Sequence, residues 1–173
     1  MKTRSLAFRN NQLIPVLKYF LLFVSAILFA PSIWAEPDNY PVDWNDEHIP
    51  WHSYQEGMEL ARSENKPVMM IIYAEWCSTC HAYKYIFQDL DIVTASRQFI
   101  MVRVDADKYP ELNNRFDMDG AYIPRTFMLH KTGNLMYRIY PDSSSLKFFI
   151  GADEPQKFIQ LMQLALSEKS NSL

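Results

Sequence analysis

An unbroken apolar run, Val68-Met69-Met70-Ile71-Ile72-Tyr73, leads straight into Ala74-Glu75-Trp76-Cys77-Ser78-Thr79-Cys80-His81, and Cys77 and Cys80 are the only 2 cysteines among 173 residues. A run of this length without polar alternation reads as a strand that must be covered on both faces. Such a strand belongs to a layered α/β arrangement rather than to a one-sided sheet. Cys77 falls where the strand ends and a helical pattern begins, with Tyr83, Ile86, Phe87 and Leu90 spaced three or four apart. That junction offers unpaired backbone N–H groups and the positive end of a helix dipole, both of which stabilise a thiolate. Cys77, at the tip, is expected to be the more exposed and more acidic thiol, and Cys80, one turn further, the shielded one. The thiolate is the attacking species in disulfide exchange, so the asymmetry assigns Cys77 as nucleophile and Cys80 as resolving thiol.

Other uses of two cysteines fit less well. A bridge between residues three apart closes a loop too small to restrict the unfolded chain much, and one bridge cannot make a disulfide scaffold. Cys-x-x-Cys-His is also a haem-attachment signature. Here, however, it follows a buried strand, and most of the 9 methionines lie in apolar runs as ordinary core filler. A metal site would need a second Cys or His pair to complete a tetrahedral shell. His48 and His52 are four apart, but Pro50 between them disfavours a shared helix face. No metal and no other cofactor is expected.

The remaining pattern supplies the layers. Ser53 and Glu56 fit a capping box for a helix over 54–64, stopped by Asn65-Lys66-Pro67. Phe99 to Val104 reads as a second buried strand ending at Asp105, and Pro110 to Phe116 as a short helix. Arg125 to His130 is a third strand. Lys131-Thr132-Gly133-Asn134 then forms a hairpin turn, with 135–140 returning as the antiparallel partner. After Asp153 and Pro155, the residues Phe158, Ile159, Met162, Ala165 and Leu166 line one face of a last helix. The order predicts a mixed central sheet flanked by helices.

The start of the chain has a different character. Lys2, Arg4, Arg9 and Lys18 precede an apolar run from Tyr19 to Ala30, with Pro31 and the small Ala35 following and no acidic residue before Glu36. This is the pattern of a secretory signal peptide over 1–35, and the run is short for a spanning helix, so cleavage after Ala35 with no stable membrane insertion afterwards is expected, with an uncleaved tether as the alternative. An extended lead-in over 36–52, a domain over 53–168 and a flexible tail over 169–173 complete the expected organisation. Net charge is −3 for the whole chain, and removing the four basic residues of 1–35 makes the remainder more acidic, which argues against nucleic acid as a partner. No retrieval signal of the Lys-Asp-Glu-Leu type ends the chain. A periplasmic location is expected, with secretion or the endoplasmic reticulum lumen as alternatives.

A second local signal is Tyr122-Ile123-Pro124-Arg125, just before the third strand. Proline there is consistent with a plain edge-strand start. It is equally consistent with a cis bond that turns the backbone of Ile123 outward beside the cysteines, free to pair with a substrate strand.

Taken together, VMMIIY, Ala74-Glu75-Trp76-Cys77-x-x-Cys80 and, some forty residues later, Ile123-Pro124 entering a strand–Gly–strand hairpin resemble the thioredoxin superfamily. Within it the chain is similar to the small single-domain endoplasmic-reticulum proteins of the anterior gradient group, through His48-Ile49-Pro50-Trp51, Lys66-Pro67, Tyr122-Ile123-Pro124-Arg125 and a terminal helix after Lys147-Phe148-Phe149. Exported bacterial thioredoxin-like proteins look similar too. The resemblance implies a three-layer α/β sandwich and dithiol–disulfide exchange with protein thiols and a redox partner. It implies a cis Pro124 facing Cys77, with Trp76, Ile123 and Pro124 meeting the substrate, and a monomer is expected. Two departures stand out: Ser78-Thr79 replaces Gly-Pro between the cysteines, and Ile71 stands where thioredoxin has a buried acid. Glu75 and His81 are therefore candidates for modulating the thiols. A client-binding chaperone with auxiliary cysteines is the competing function.

Overall fold

The computed structural model describes residues 43–140 and 146–171, with side chains up to residue 168. The signal peptide expected over 1–35 lies outside the described residues.

The chain forms β1 (Trp51–His52), α1 (Tyr54–Ser63), β2 (Val68–Tyr73), α2 (Ser78–Tyr83) continued by a 3₁₀ helix (Lys84–Gln88), α3 (Leu90–Ser96), β3 (Ile100–Asp105), α4 (Pro110–Arg115), β4 (Arg125–Leu129) and α5 (Pro155–Asn171). The four strands lie in the order β1-β3-β2-β4, parallel except for β4, which runs antiparallel to β2. The sheet is mixed, as the element order required.

Successive residues of β2 point to opposite faces and both faces are packed. Met69 and Ile71 join Tyr83, Phe87, Ile92, Met101, Phe158 and Met162 on the side of α2, α3 and α5. Val68, Met70 and Ile72 join Met58, Ala61, Val102, Phe116, Phe127 and Phe148 on the side of α1 and the end of α4. A sheet with a filled core on each face is the three-layer sandwich.

Local signals account for most element ends. Ser53 Oγ accepts the N–H of Glu56 at 3.3 Å, which is half of the expected capping box. The other half is not made as drawn, because the Glu56 carboxylate lies 3.1 Å from His52 Nδ1. Asn65 takes φ 53° as the chain leaves α1, and Asp89 Oδ1 accepts from the N–H of Asp91 at 2.8 Å to open α3. The helical pattern read from Cys77 onward is in fact three pieces. The break falls at Asp89, whose extended φ/ψ ends the 3₁₀ helix and caps the next one.

Three stretches differ from their reading. Residues 43–52 hold a turn and the edge strand β1 in place of a plain extended lead-in, with Trp44 and Ile49 buried. Asn45 Nδ2 donates to the Phe87 carbonyl at 2.8 Å, and Trp51 Nε1 to that of Trp44 at 2.7 Å. The hairpin turn forms at Gly133, φ 88°, but its return is a single bridge, Leu129 to Leu135. Met136 and Ile139 are both buried while Tyr137 is exposed. That spacing of three suits the turn closed by the Ile139 N–H on the Met136 carbonyl at 2.9 Å, not a strand. Phe148 takes up the rest of the β4 edge, its carbonyl accepting from Thr126 N–H at 2.7 Å. Finally, α5 runs on to Asn171, through the first residues of the expected tail.

Candidate redox site

Cys77 ends the turn after β2 and caps α2. Its backbone is extended, φ −80° and ψ 109°, and its Sγ accepts the N–H of Cys80 at 3.1 Å. This geometry turns the sulfur toward the unpaired N–H groups of the first helical turn. Cys77 and Cys80 are joined in a disulfide, with Cα atoms 5.2 Å apart.

The second motif arrives at the same place. The Ile123–Pro124 peptide is cis, and the Ile123 carbonyl oxygen lies 3.8 Å from Cys77 Sγ although 46 residues separate them. Ala74, Cys77 and Cys80 form a small apolar cluster, with Tyr73 and Ile123 packed against it. The expected order of exposure holds, by a narrow margin. Cys77 is the more exposed cysteine, but only at 6% against 1% for Cys80, because Ile123 lies over the tip. Pro124 is itself buried, whereas Ile123 is half-buried.

Trp76 stands in the open beside Cys77, 71% exposed. Its Nε1 donates to Asp107 Oδ2 at 2.7 Å. The N–H of Asp107 in turn donates to Oδ1 of the buried Asp105 at 3.0 Å. Asp107 was not singled out from the sequence. Its signal was positional: it follows β3, and β3 and β2 are parallel neighbours ending at the same level, Tyr73 opposite Asp105.

Glu75 and His81 come together, but through the backbone. His81 Nε2 donates to the Glu75 carbonyl at 2.7 Å, which closes the turn ahead of α2. The Glu75 carboxylate is 3.9 Å from Lys84 Nζ. Burial, followed by the Glu75 charge, pushes the Tyr73 pKa up to about 12. Among the described residues no hydrogen bond links Glu75 or His81 to a sulfur. Ile71 is fully buried in the apolar core, so the side chain at that position offers no proton acceptor to Cys80.

Two polar links, one buried and one half-buried, pin the Pro124 side of the site. Tyr83, three residues after Cys80, has its hydroxyl 2.9 Å from Thr126 Oγ1, and burial pushes its pKa well up. Tyr122 donates to Asp119 Oδ2 at 2.6 Å and accepts from the Phe148 N–H at 3.0 Å. Burial and that bond to Asp119 hold Tyr122 protonated far above the usual range. Arg125, fully buried, was also missed; a charged residue heading an otherwise apolar strand after proline was its trace in the sequence. Among the described residues no cluster of three His, Cys, Asp or Glu side chains offers a metal shell, and no helix is long and apolar enough to cross a membrane.

Comparison with known proteins agrees with this geometry. A family model described as thioredoxin-like matches residues 50–131. Anterior gradient protein 3 of Xenopus tropicalis is 30% identical over 124 residues, covering 68% of this chain and 73% of that protein. The chloroplastic thioredoxin Y2 of Arabidopsis thaliana is 32% identical over 80 residues, 46% of each chain. In fold, the solution structure of a thioredoxin from Thermus thermophilus matches with a TM-score of 0.54 at 17% identity, covering 70% of this chain and 90% of that one. A disulfide-bonded Cys pair capping a helix after the central strand, set against a cis proline and joined to these similarities, places the chain in the thioredoxin-like family.

Proposed function

We propose that this protein is an exported thiol–disulfide oxidoreductase that exchanges disulfides with protein substrates through Cys77 and Cys80. The observation that carries the reading is the meeting of Cys77 Sγ with the Ile123 carbonyl beside the cis peptide. It sets an attacking sulfur next to a stretch of backbone on which an extended client can pair.

In the dithiol form, the Cys77 thiolate attacks a client disulfide. A Cys77–client mixed disulfide forms and one client thiolate leaves. Cys80 then gives up its proton, and its thiolate attacks Cys77 Sγ. The second client thiolate is released and the Cys77–Cys80 disulfide closes, so the client gains the two electrons that the pair loses. The same steps in reverse oxidise a client dithiol. The Cys80 N–H, held 3.1 Å from Cys77 Sγ, serves the thiolate in both directions. Trp76 and Ile123 supply exposed and half-buried apolar surface for the client, with Pro124 beneath them. Glu75 and His81 shape the turn ahead of the cysteines.

Insulin reduction by dithiothreitol and refolding of a reduced, disulfide-containing client test the reading. Wild type is expected to accelerate one of them, and Cys77→Ser to abolish the effect. Full client protection by Cys77→Ser would instead establish a chaperone with auxiliary cysteines. Export to the periplasm through 1–35 is part of the same proposal. Sequencing of the protein recovered from that compartment is expected to begin at Glu36.

A further inference from the structure

Arg125 is the largest fully buried side chain among the described residues. Taking a guanidinium out of water is strongly unfavourable unless its N–H groups meet acceptors. Here the two terminal nitrogens do, while Nε is buried without a partner among the described residues, and the acceptors come from one stretch of chain. Nη1 donates to the carbonyls of Phe116 at 2.6 Å and Gly120 at 3.1 Å. Nη2 donates to the Asn113 carbonyl at 3.4 Å and to Asn113 Oδ1. The Asn113 and Phe116 carbonyls belong to the C-terminal end of α4, where unpaired carbonyls and the negative end of the helix favour a cation. The guanidinium also lies 5.9 Å from the Tyr122 ring centroid and 5.8 Å from that of Phe127.

A rigid planar fork thus ties the end of α4 and the turn at Gly120 to the head of β4. The tied segment leads directly to Ile123, whose carbonyl faces Cys77 Sγ. The Tyr122–Asp119 bond and the Lys147 N–H on Asp119 Oδ2 at 2.6 Å hold it from the other side. Among the described residues no hydrogen bond joins Arg125 to either sulfur, so its influence on the site runs through the backbone it holds.

We propose that Arg125 is a positioning residue for disulfide exchange: by gripping 113–120 it fixes the backbone of Ile123 on which a client chain pairs beside Cys77. The proposal rests on the oxidoreductase reading above. Its test compares a disulfide-bonded peptide, which needs that backbone, with a small aryl disulfide, which needs only the thiolate. Arg125→Lys keeps the charge and loses the fork. It is expected to raise the KM for the peptide on the order of tenfold while kcat and the aryl disulfide rate stay within about twofold. Asn113→Ala, which removes one acceptor, is expected to move the peptide KM the same way by less. Amide hydrogen exchange over 119–123 is expected to quicken in both variants.

An unchanged peptide KM in folded Arg125→Lys overturns the proposal. So does a parallel loss on both substrates that tracks a lower melting temperature, which marks a merely structural role. If Arg125→Lys does not fold, Asn113→Ala decides alone, and an unchanged KM there overturns it. A wild type with no exchange activity removes the oxidoreductase reading, and this proposal with it. That outcome is distinct from an active wild type whose KM ignores Arg125.

Discussion

Cys77 is subject to two opposed effects. Burial under Ile123 disfavours a thiolate, whereas the Cys80 N–H at 3.1 Å and the start of a helix favour one. The hydrogen bond acts directly on the sulfur and the helix terminus adds to it, so the favourable side is expected to win. Absorbance titration of reduced Cys80→Ser, which keeps the backbone N–H, is expected to give a Cys77 pKa below the ~8.5 of a free thiol. A value at or above it would mean that burial dominates. The relative order of exposure of the two cysteines was legible from their spacing. The near-complete cover on Cys77 was not, because it comes from a residue 46 positions away.

At the scale of elements, α1 shows how packing overrides propensity. Gly57 sits inside this helix, where glycine costs roughly 1 kcal/mol relative to alanine. A Cβ there would fall 2.3 Å from Cγ2 of Val102, a stiff β-branched side chain in the buried β3. Overpacking of this kind costs about 1–3 kcal/mol, which exceeds the propensity gain. Gly57→Ala is therefore expected to lower stability by up to about 2 kcal/mol, read from the urea midpoint at unchanged slope. Helix and strand identities were readable from apolar spacing, as in VMMIIY and in Phe158, Met162 and Ala165. The return after Gly133 was not, since a hairpin turn followed by 135–140 reads as a strand until Met136 and Ile139 are both found in one core cluster.

For the molecule as a whole, its buried and half-buried tyrosine hydroxyls define an alkaline limit. Tyr73 is raised from 10.0 to about 12, and Tyr83 and Tyr122 are raised as well, each chiefly by burial. Between the unfolded and folded values the unfolded chain holds fewer protons than the native one, so stability is fully present below the unfolded value and falls as pH rises. The melting temperature is expected to hold steady up to about pH 10 and decline above it, with a shallower decline in Tyr73→Phe. A decline of unchanged steepness in that variant would assign the limit to other groups.

The sequence by itself determined the two-sided central strand, the helix-capping cysteine pair and the α/β class, because each depends on neighbours within a few residues. Only the tertiary structure decided that Ile123 covers Cys77, that Asp107 holds Trp76 and that the Arg125 guanidinium is buried against the carbonyls of 113–120. Those contacts join residues on different strands and loops. Their distances follow from how the sheet stacks β3, β2 and β4, which no local pattern encodes.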